Sequence, residues 1–81
     1  MIIKYFAWIK DVTKKDQEEI NKDHPKNIDE LKKKLCKLYP DLEKHIKKDI
    51  LRYAINMEYT SINQELFKTD EIAVFPPVSG G

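Results

Sequence analysis

The spacing of apolar residues changes period twice along this chain, and that limits what it can fold into. From Ile2 to Ile9, Ile3, Tyr5, Ala7 and Ile9 fall on one face of an extended run, and Ile2, Phe6 and Trp8 on the other; Lys4 is the exception. Such a run suits a central strand covered on one side and partly on the other. After His24-Pro25-Lys26 the period becomes helical. Ile28, Leu31, Leu35, Leu38 and Tyr39 share one face, and Lys32, Lys33, Lys34 and Lys37 take the solvated side. Asn27, with Glu30 three residues on, predicts an N-cap with its reciprocal partner, and Pro40 ends the helix. From Ile50 to Met57 the period returns to two, with Leu51, Tyr53, Ile55 and Met57 alternating against Ile50, Arg52, Ala54 and Asn56. Glu71 to Phe75 is a last strand.

The segments between carry weaker signals. Lys10 to Lys15 reads as a polar turn, and Gln17 to Asn21 as a second strand whose clear apolar anchor is Ile20. Leu42 and Ile46 anchor the connection after Pro40, and Tyr59 to Leu66 has room for a short strand and a turn. Strand, strand, helix, strand, short strand and strand make one α+β domain, a mixed sheet with a helix packed across it. Its 81 residues suffice for a single modest core. The 15 basic and 14 acidic residues nearly cancel, so charge gives no case for nucleic acid or an anionic membrane as main partner. Cys36 is the sole cysteine, which rules out an internal disulfide. Neither a signal-peptide pattern nor an apolar run of membrane-spanning length is present, and a reducing cytoplasm is the expected setting.

The last strand runs into Pro76-Pro77-Val78-Ser79-Gly80-Gly81. Two prolines hold the backbone extended, and two glycines then remove all side-chain bulk. Read as a chain terminus, this predicts a domain over 1–75 and a flexible tail over 76–81 that offers a slim carboxylate. From Pro77 to Gly81 such a tail would reach about 17 Å when fully extended.

This order of elements resembles the β-grasp, or ubiquitin-like, fold. The pattern Leu66, then Asp70-Glu71-Ile72-Ala73-Val74-Phe75-Pro76-Pro77-Val78-Ser79-Gly80-Gly81, is similar to the close of the MoaD-type sulfur carriers, the small subunits of molybdopterin synthase. The opening Ile2-Ile3-Lys4-Tyr5-Phe6-Ala7 and the Ala54-Ile55-Asn56 stretch also look like that family. Thr69 stands where the family usually has a glycine, and Asp11 to Asp16 lacks the glycine often found in the first loop. A β-branched residue disfavours φ > 0, so the turn at Thr69 must differ or carry strain.

The resemblance implies a chain that is not catalytic alone and binds no cofactor. An adenylating enzyme of the ubiquitin-activating type would use ATP to activate the Gly81 carboxylate, and a sulfur donor protein would convert it to a thiocarboxylate. The large subunit, in a heterotetramer, would hold the acceptor, cyclic pyranopterin monophosphate. Gly81 would carry the sulfur, Gly80 would allow passage through a narrow channel, and Phe75, Pro76, Pro77, Val78 and Ser79 would seat the tail on the partner. For Phe75, a core place at the strand end and an interface are both open; Ser79 is a small spacer. Another β-grasp sulfur carrier, for thiamine or cysteine synthesis, or a ubiquitin-like modifier of lysines remains as an alternative, although Pro76-Pro77 argues against the thiamine type. A third reading takes the chain as a binding module acting through its lysines.

Other residues invite plainer readings. Cys36 is expected as a small buried apolar group rather than a persulfide relay. His24, His45 and Cys36 have no ligand-like spacing, so no metal site is expected; His24 reads as a turn residue and His45 as a solvated one. Lys32, Lys33, Lys34, Lys37, Lys44, Lys47 and Lys48 lack interleaved aromatics and read as a solvated face that could steer an acidic partner.

Overall fold

The computed structural model describes residues 1–77. Along the chain run β1 (Ile2–Tyr5), α1 (Trp8–Thr13), β2 (Gln17–Glu19), α2 (Ile28–Leu38), α3 (Pro40–Lys47), β3 (Arg52–Ile55), β4 (Glu58–Thr60) and β5 (Glu71–Phe75). The strands form a five-stranded sheet in the order β2-β1-β5-β3-β4. β1 pairs with β5 in parallel, Ile3 opposite Ile72 and Tyr5 opposite Val74, and the other pairings are antiparallel. This is the expected α+β β-grasp arrangement.

Alternation along the strands divides the sheet into two faces. Ile3, Tyr5, Ile72, Val74, Tyr53 and Ile55 turn toward the helices and join Leu31, Leu35, Leu42, Ile46 and Leu66 in one buried cluster. The opposite face carries Ile2, Lys4, Arg52, Ala54, Tyr59, Glu71, Ala73 and Phe75. Lys4 and Glu71 pair there at 3.1 Å.

Local chemistry fixes where α2 begins. Asn27 Oδ1 accepts from the Glu30 N–H at 2.9 Å, as the sequence suggests, but Glu30 Oε1 reaches back to the N–H of Lys26 rather than to that of Asn27. The loop before β5 supplies the other caps: the Gln64 carbonyl accepts from Ile28 N–H, and Asn63 Oδ1 accepts from Asp29 N–H at 2.8 Å. These bonds satisfy donors that a helix start leaves open. They also hold Leu66 over the core.

Several expectations need correction. The first strand stops at Tyr5 instead of Ile9, and the expected polar turn is the helix α1. Ile9 and Thr13 are its buried positions, four residues apart, so the alternation that seemed to reach Ile9 continues as a helical stripe. Pro40 ends α2 and also opens α3 at its first turn, where its missing N–H costs nothing. Leu42 and Ile46 therefore anchor a helix rather than a connection. Leu38 lies on the exposed side of the last turn of α2, while Tyr39 packs against the core. The strand expected over Ile50 to Met57 is confined to β3, because Asn56 and Met57, at φ 50° and 70°, turn the chain into β4.

Both glycines of the chain lie at positions 80 and 81, so every turn before them is built without one. Lys14 closes α1 in the left-handed region at φ 64°, without a glycine to ease it. Thr69 is not among the residues with positive φ. The turn there differs instead: Asp70 Oδ2 accepts from Phe67 N–H at 2.8 Å, and Asp70 N–H donates to the Phe67 carbonyl at 3.0 Å. Asn56 completes the joint by donating to Asp70 Oδ1 and accepting from Glu71 N–H, each at 2.9 Å. That link ties the β3–β4 turn to the start of β5.

One charged group is drawn into the packing. Glu18 on β2 accepts hydrogen bonds from the hydroxyls of Tyr5 and Tyr39, and Lys15 Nζ lies 3.5 Å from its other oxygen. Burial pushes this carboxyl up, but the hydrogen bonds from Tyr39 and Tyr5 and the Lys15 charge outweigh it, leaving Glu18 below the ordinary carboxylate range. The edge strand is thereby tied to the end of α2.

Two stability outcomes follow from these contacts. A carboxyl with a depressed folded pKa stabilises the fold above its unfolded pKa and loses that contribution as pH falls through the folded value. Glu18→Gln should therefore cost about 1–3 kcal/mol near neutral pH in urea unfolding, with the gap to the parent closing in acid. Met57→Gly should stabilise by roughly 1 kcal/mol, because a fully exposed side chain is removed and Asn-Gly suits a two-residue turn with both φ positive.

Candidate functional site

β5 occupies the middle of the sheet, so what lies beyond Phe75 leaves from between β1 and β3 rather than from an edge. On one side the ladder continues one residue past β1, with Phe6 N–H donating to the Val74 carbonyl at 3.1 Å. The chain then turns sharply: Ile9 N–H donates to the Phe6 carbonyl at 3.2 Å, and Ala7 takes φ 55° and ψ −138°. These angles belong to the first central position of a type II′ turn, where glycine is the usual occupant. On the other side Arg52 stands opposite Phe75, and its guanidinium donates to the carbonyls of Asp49 at 2.7 Å and Leu51 at 3.1 Å. Arg52 thus fixes the turn that flanks the end of β5.

Between these supports lies an open apolar groove lined by Phe6, Ala7, Ala73, Phe75, Pro76 and Pro77. Phe75 points to the helix-free face, is half-buried, and meets the ring of Tyr59 edge-on with centroids 5.4 Å apart. Phe75 therefore does not belong to the buried core. Pro76 is half-buried and Pro77 exposed. Val78, Ser79, Gly80 and Gly81 lie outside the described residues, as does most of the tail expected over 76–81. None of the six groove residues can titrate. This ledge can hold an apolar partner surface and aim a chain, but it supplies no acid, base or nucleophile.

The other candidates stay apart from the groove. Cys36 is half-buried against the core, and burial, with Glu43 nearby, pushes its thiol up, which disfavours the thiolate a sulfur relay needs. His24 Nδ1 lies 2.9 Å from the Pro25 carbonyl, a turn contact. His45, expected in solvent, is half-buried with its ring 4.7 Å from that of Trp8. Among the lysines, Lys32 pairs with Asp49 at 3.8 Å and lies over the Tyr53 ring, and Lys47 pairs with Glu43 at 2.9 Å. Among the described residues no cluster of three metal-ligating side chains occurs, and no helix is long and apolar enough to cross a membrane.

Phe75, Pro76 and Pro77 were legible from their motif. Ala73 shares the face of Phe75 by strand period alone, but Phe6, Ala7 and Tyr59 were not legible, because only the β1·β5, β3·β5 and β3·β4 pairings bring them there. Tyr59 did carry one signal, a large aromatic in a segment with little other apolar character.

Against this geometry, the profile of the ThiS family matches residues 3–81. The chain belongs to the ThiS family. Within it, the chain is 40% identical over 83 residues to a molybdopterin synthase sulfur carrier subunit from Dictyostelium discoideum, covering 94% of this chain and 90% of that protein. The resemblance drawn from the closing motif is borne out by this relative. Among solved structures, a putative molybdopterin converting factor subunit 1 from Pyrococcus furiosus superposes with a TM-score of 0.80 at 26% identity, covering 95% of each chain. Small archaeal modifier protein 1 from Haloferax volcanii gives 0.78 at 26% identity over 99% of this chain and 97% of its own. The ThiS-family chain thus shares its fold with both sulfur carriers and protein modifiers.

Proposed function

We propose that this chain is the sulfur-carrier small subunit of a molybdopterin synthase, acting in molybdenum cofactor biosynthesis in the cytoplasm. The observation that carries the reading is the placement of Phe75-Pro76-Pro77. A central strand brings the chain onto an exposed apolar ledge just before Gly80-Gly81, in a sequence 40% identical to such a carrier. Under this reading residues 1–75 are a handle and 76–81 the working segment.

The chemistry follows from the weakness of a carboxylate as an electrophile. Its charge is delocalised and repels nucleophiles, so the Gly81 carboxylate first attacks the α-phosphorus of ATP on an adenylating enzyme, releasing pyrophosphate. The terminal sulfur of a persulfide on a donor protein then attacks the acyl carbon and AMP leaves. A thiol cleaves the resulting acyl disulfide, forming a disulfide with the donor cysteine and leaving the sulfur on Gly81. The product is a thiocarboxylate, a soft nucleophile that remains ionised at neutral pH. Gly80 and Gly81 pass through a channel too narrow for side chains. Phe75, Pro76, Pro77, Val78 and Ser79 lie against the large subunit, which binds cyclic pyranopterin monophosphate and supplies the charged groups that stabilise the reaction. This chain contributes the reacting sulfur and its position, a proximity effect. Each transfer returns Gly81 to a carboxylate, with the oxygen supplied by water, and two transfers complete the dithiolene.

A second reading, a ubiquitin-like protein modifier, draws on the fold shared with small archaeal modifier protein 1. It uses the same activated Gly81 but passes it to a lysine amine. The two readings separate when the chain is activated and mixed either with the pterin-binding large subunit and its precursor or with candidate protein acceptors. Removing Gly81 should abolish dithiolene formation while leaving the thermal midpoint and the affinity for the large subunit nearly unchanged. Dithiolene formation at the parental rate by the shortened chain rules out Gly81 as the sulfur carrier.

A further inference from the structure

The two edges of the sheet differ in a way the tail chemistry does not explain. β2 is the sequence Gln17-Glu18-Glu19, flanked by Lys15 and Asp16, and a charged edge of this kind resists pairing with another chain. β4, Glu58-Tyr59-Thr60, has a single charge, Glu58 next to the turn, and is less protected. Met57, Tyr59 and Ile62, which are 94%, 65% and 69% exposed, crowd into the hairpin and the loop after it. They are the most exposed large apolar side chains among the described residues.

The backbone of β4 is also open to a partner. In the β3–β4 ladder, Ile55 pairs with Glu58 across the two-residue turn and Tyr53 pairs with Thr60. Hydrogen-bonded and non-hydrogen-bonded pairs alternate in an antiparallel ladder, so the intervening Tyr59 turns its N–H and C=O away from β3. Beside this edge, between β4 and α2, runs a cleft whose lining includes Ile28, Lys32, Leu51, Tyr53, Thr60 and Ile62. Its charged lining is balanced, Lys32 and Arg52 against Asp29 and Asp49, with Lys32 and Asp49 paired at 3.8 Å, so an uncharged side chain suits it. An edge strand beside a helix-walled groove is the geometry in which a sheet accepts an added strand from another protein.

We propose that the free edge of β4 is a second docking element, and that it takes an extended, uncharged, apolar strand from the large subunit that receives the tail. The proposal rests on the sulfur-carrier reading. Continuity selects this occupant: the Tyr59 ring packs on Phe75, so a surface seated on the Phe75–Pro77 ledge already reaches β4. The added strand would pair with the Tyr59 backbone, set one side chain into the cleft and cover Met57 and Ile62. A carrier held at both ledge and edge is fixed in orientation as well as position.

The test is hydrogen exchange and binding with the full chain and the large subunit from the same organism, at matched salt. Tyr59→Thr removes the ring and keeps the outward N–H, whereas Tyr59→Pro removes both, at a position where an outward-facing N–H lets proline fit an edge strand. Slowed exchange of the Tyr59 amide in the complex is expected, with Tyr59→Pro binding at least tenfold more weakly than Tyr59→Thr. Unchanged protection of the β1 and β5 amides in both variants would show that the fold is kept. If a complex forms but the Tyr59 amide exchanges as in the free chain, or the two variants bind alike, the edge proposal is overturned alone. If the parent chain forms no complex, the sulfur-carrier reading falls and takes this proposal with it.

Discussion

The parallel pairing of β1 with β5 is the constraint on which the rest of the molecule depends. It joins segments about seventy residues apart and sets Ile3 beside Ile72 and Tyr5 beside Val74, all four sealed from solvent. Parallel neighbours cannot be joined by a tight turn, so the intervening chain must cross the sheet. α2 and α3 make that crossing and cover one face. With β5 held between β1 and β3, the helix-free face at its end is left to Phe6, Ala73, Phe75 and Tyr59. The place at which the chain passes beyond Phe75 is thus set by the pairing that builds the core.

The polar contacts at the sheet's ends serve the same end. Asp70 and Asn56 fix the start of β5 to the β3–β4 turn, while Glu18 ties the edge strand to Tyr39 at the end of α2. Arg52 holds the turn beside the far end of β5. These contacts order both ends of the central strand without placing a titratable group in the groove. A carrier of a reactive terminal sulfur gains from that separation, because reaction is confined to the site where a partner supplies the charged groups.

Much of the fold was legible because hydrophobic period reports burial directly. The α2 face from Ile28 to Leu35 and the strand from Glu71 to Phe75 follow from spacing alone. Errors arose where two periods overlap or a chain end lies beyond the core. Tyr5, Ala7 and Ile9 alternate like a strand, yet Ile9 belongs to a helix entered through a turn at Ala7 that no glycine announces. Leu38 has the spacing of a core residue but sits past the edge of what α2 covers. Left-handed Asn56 and Met57 shortened β3 for the same reason, since the familiar glycine signal is absent. At the site, Phe75 to Pro77 could be read from the motif and Ala73 from strand spacing, whereas Phe6 and Tyr59 join them only through long-range pairing.

The central claim is that Gly81 carries sulfur. The most direct measurement is the intact mass of the chain recovered from its native host under conditions that preserve thioacids. The account predicts a fraction heavier by the replacement of one oxygen with one sulfur, localised by fragmentation to Gly81 and lost when the activating enzyme is absent. A chain that carries only an unmodified carboxylate, while its host actively makes the dithiolene, would contradict it.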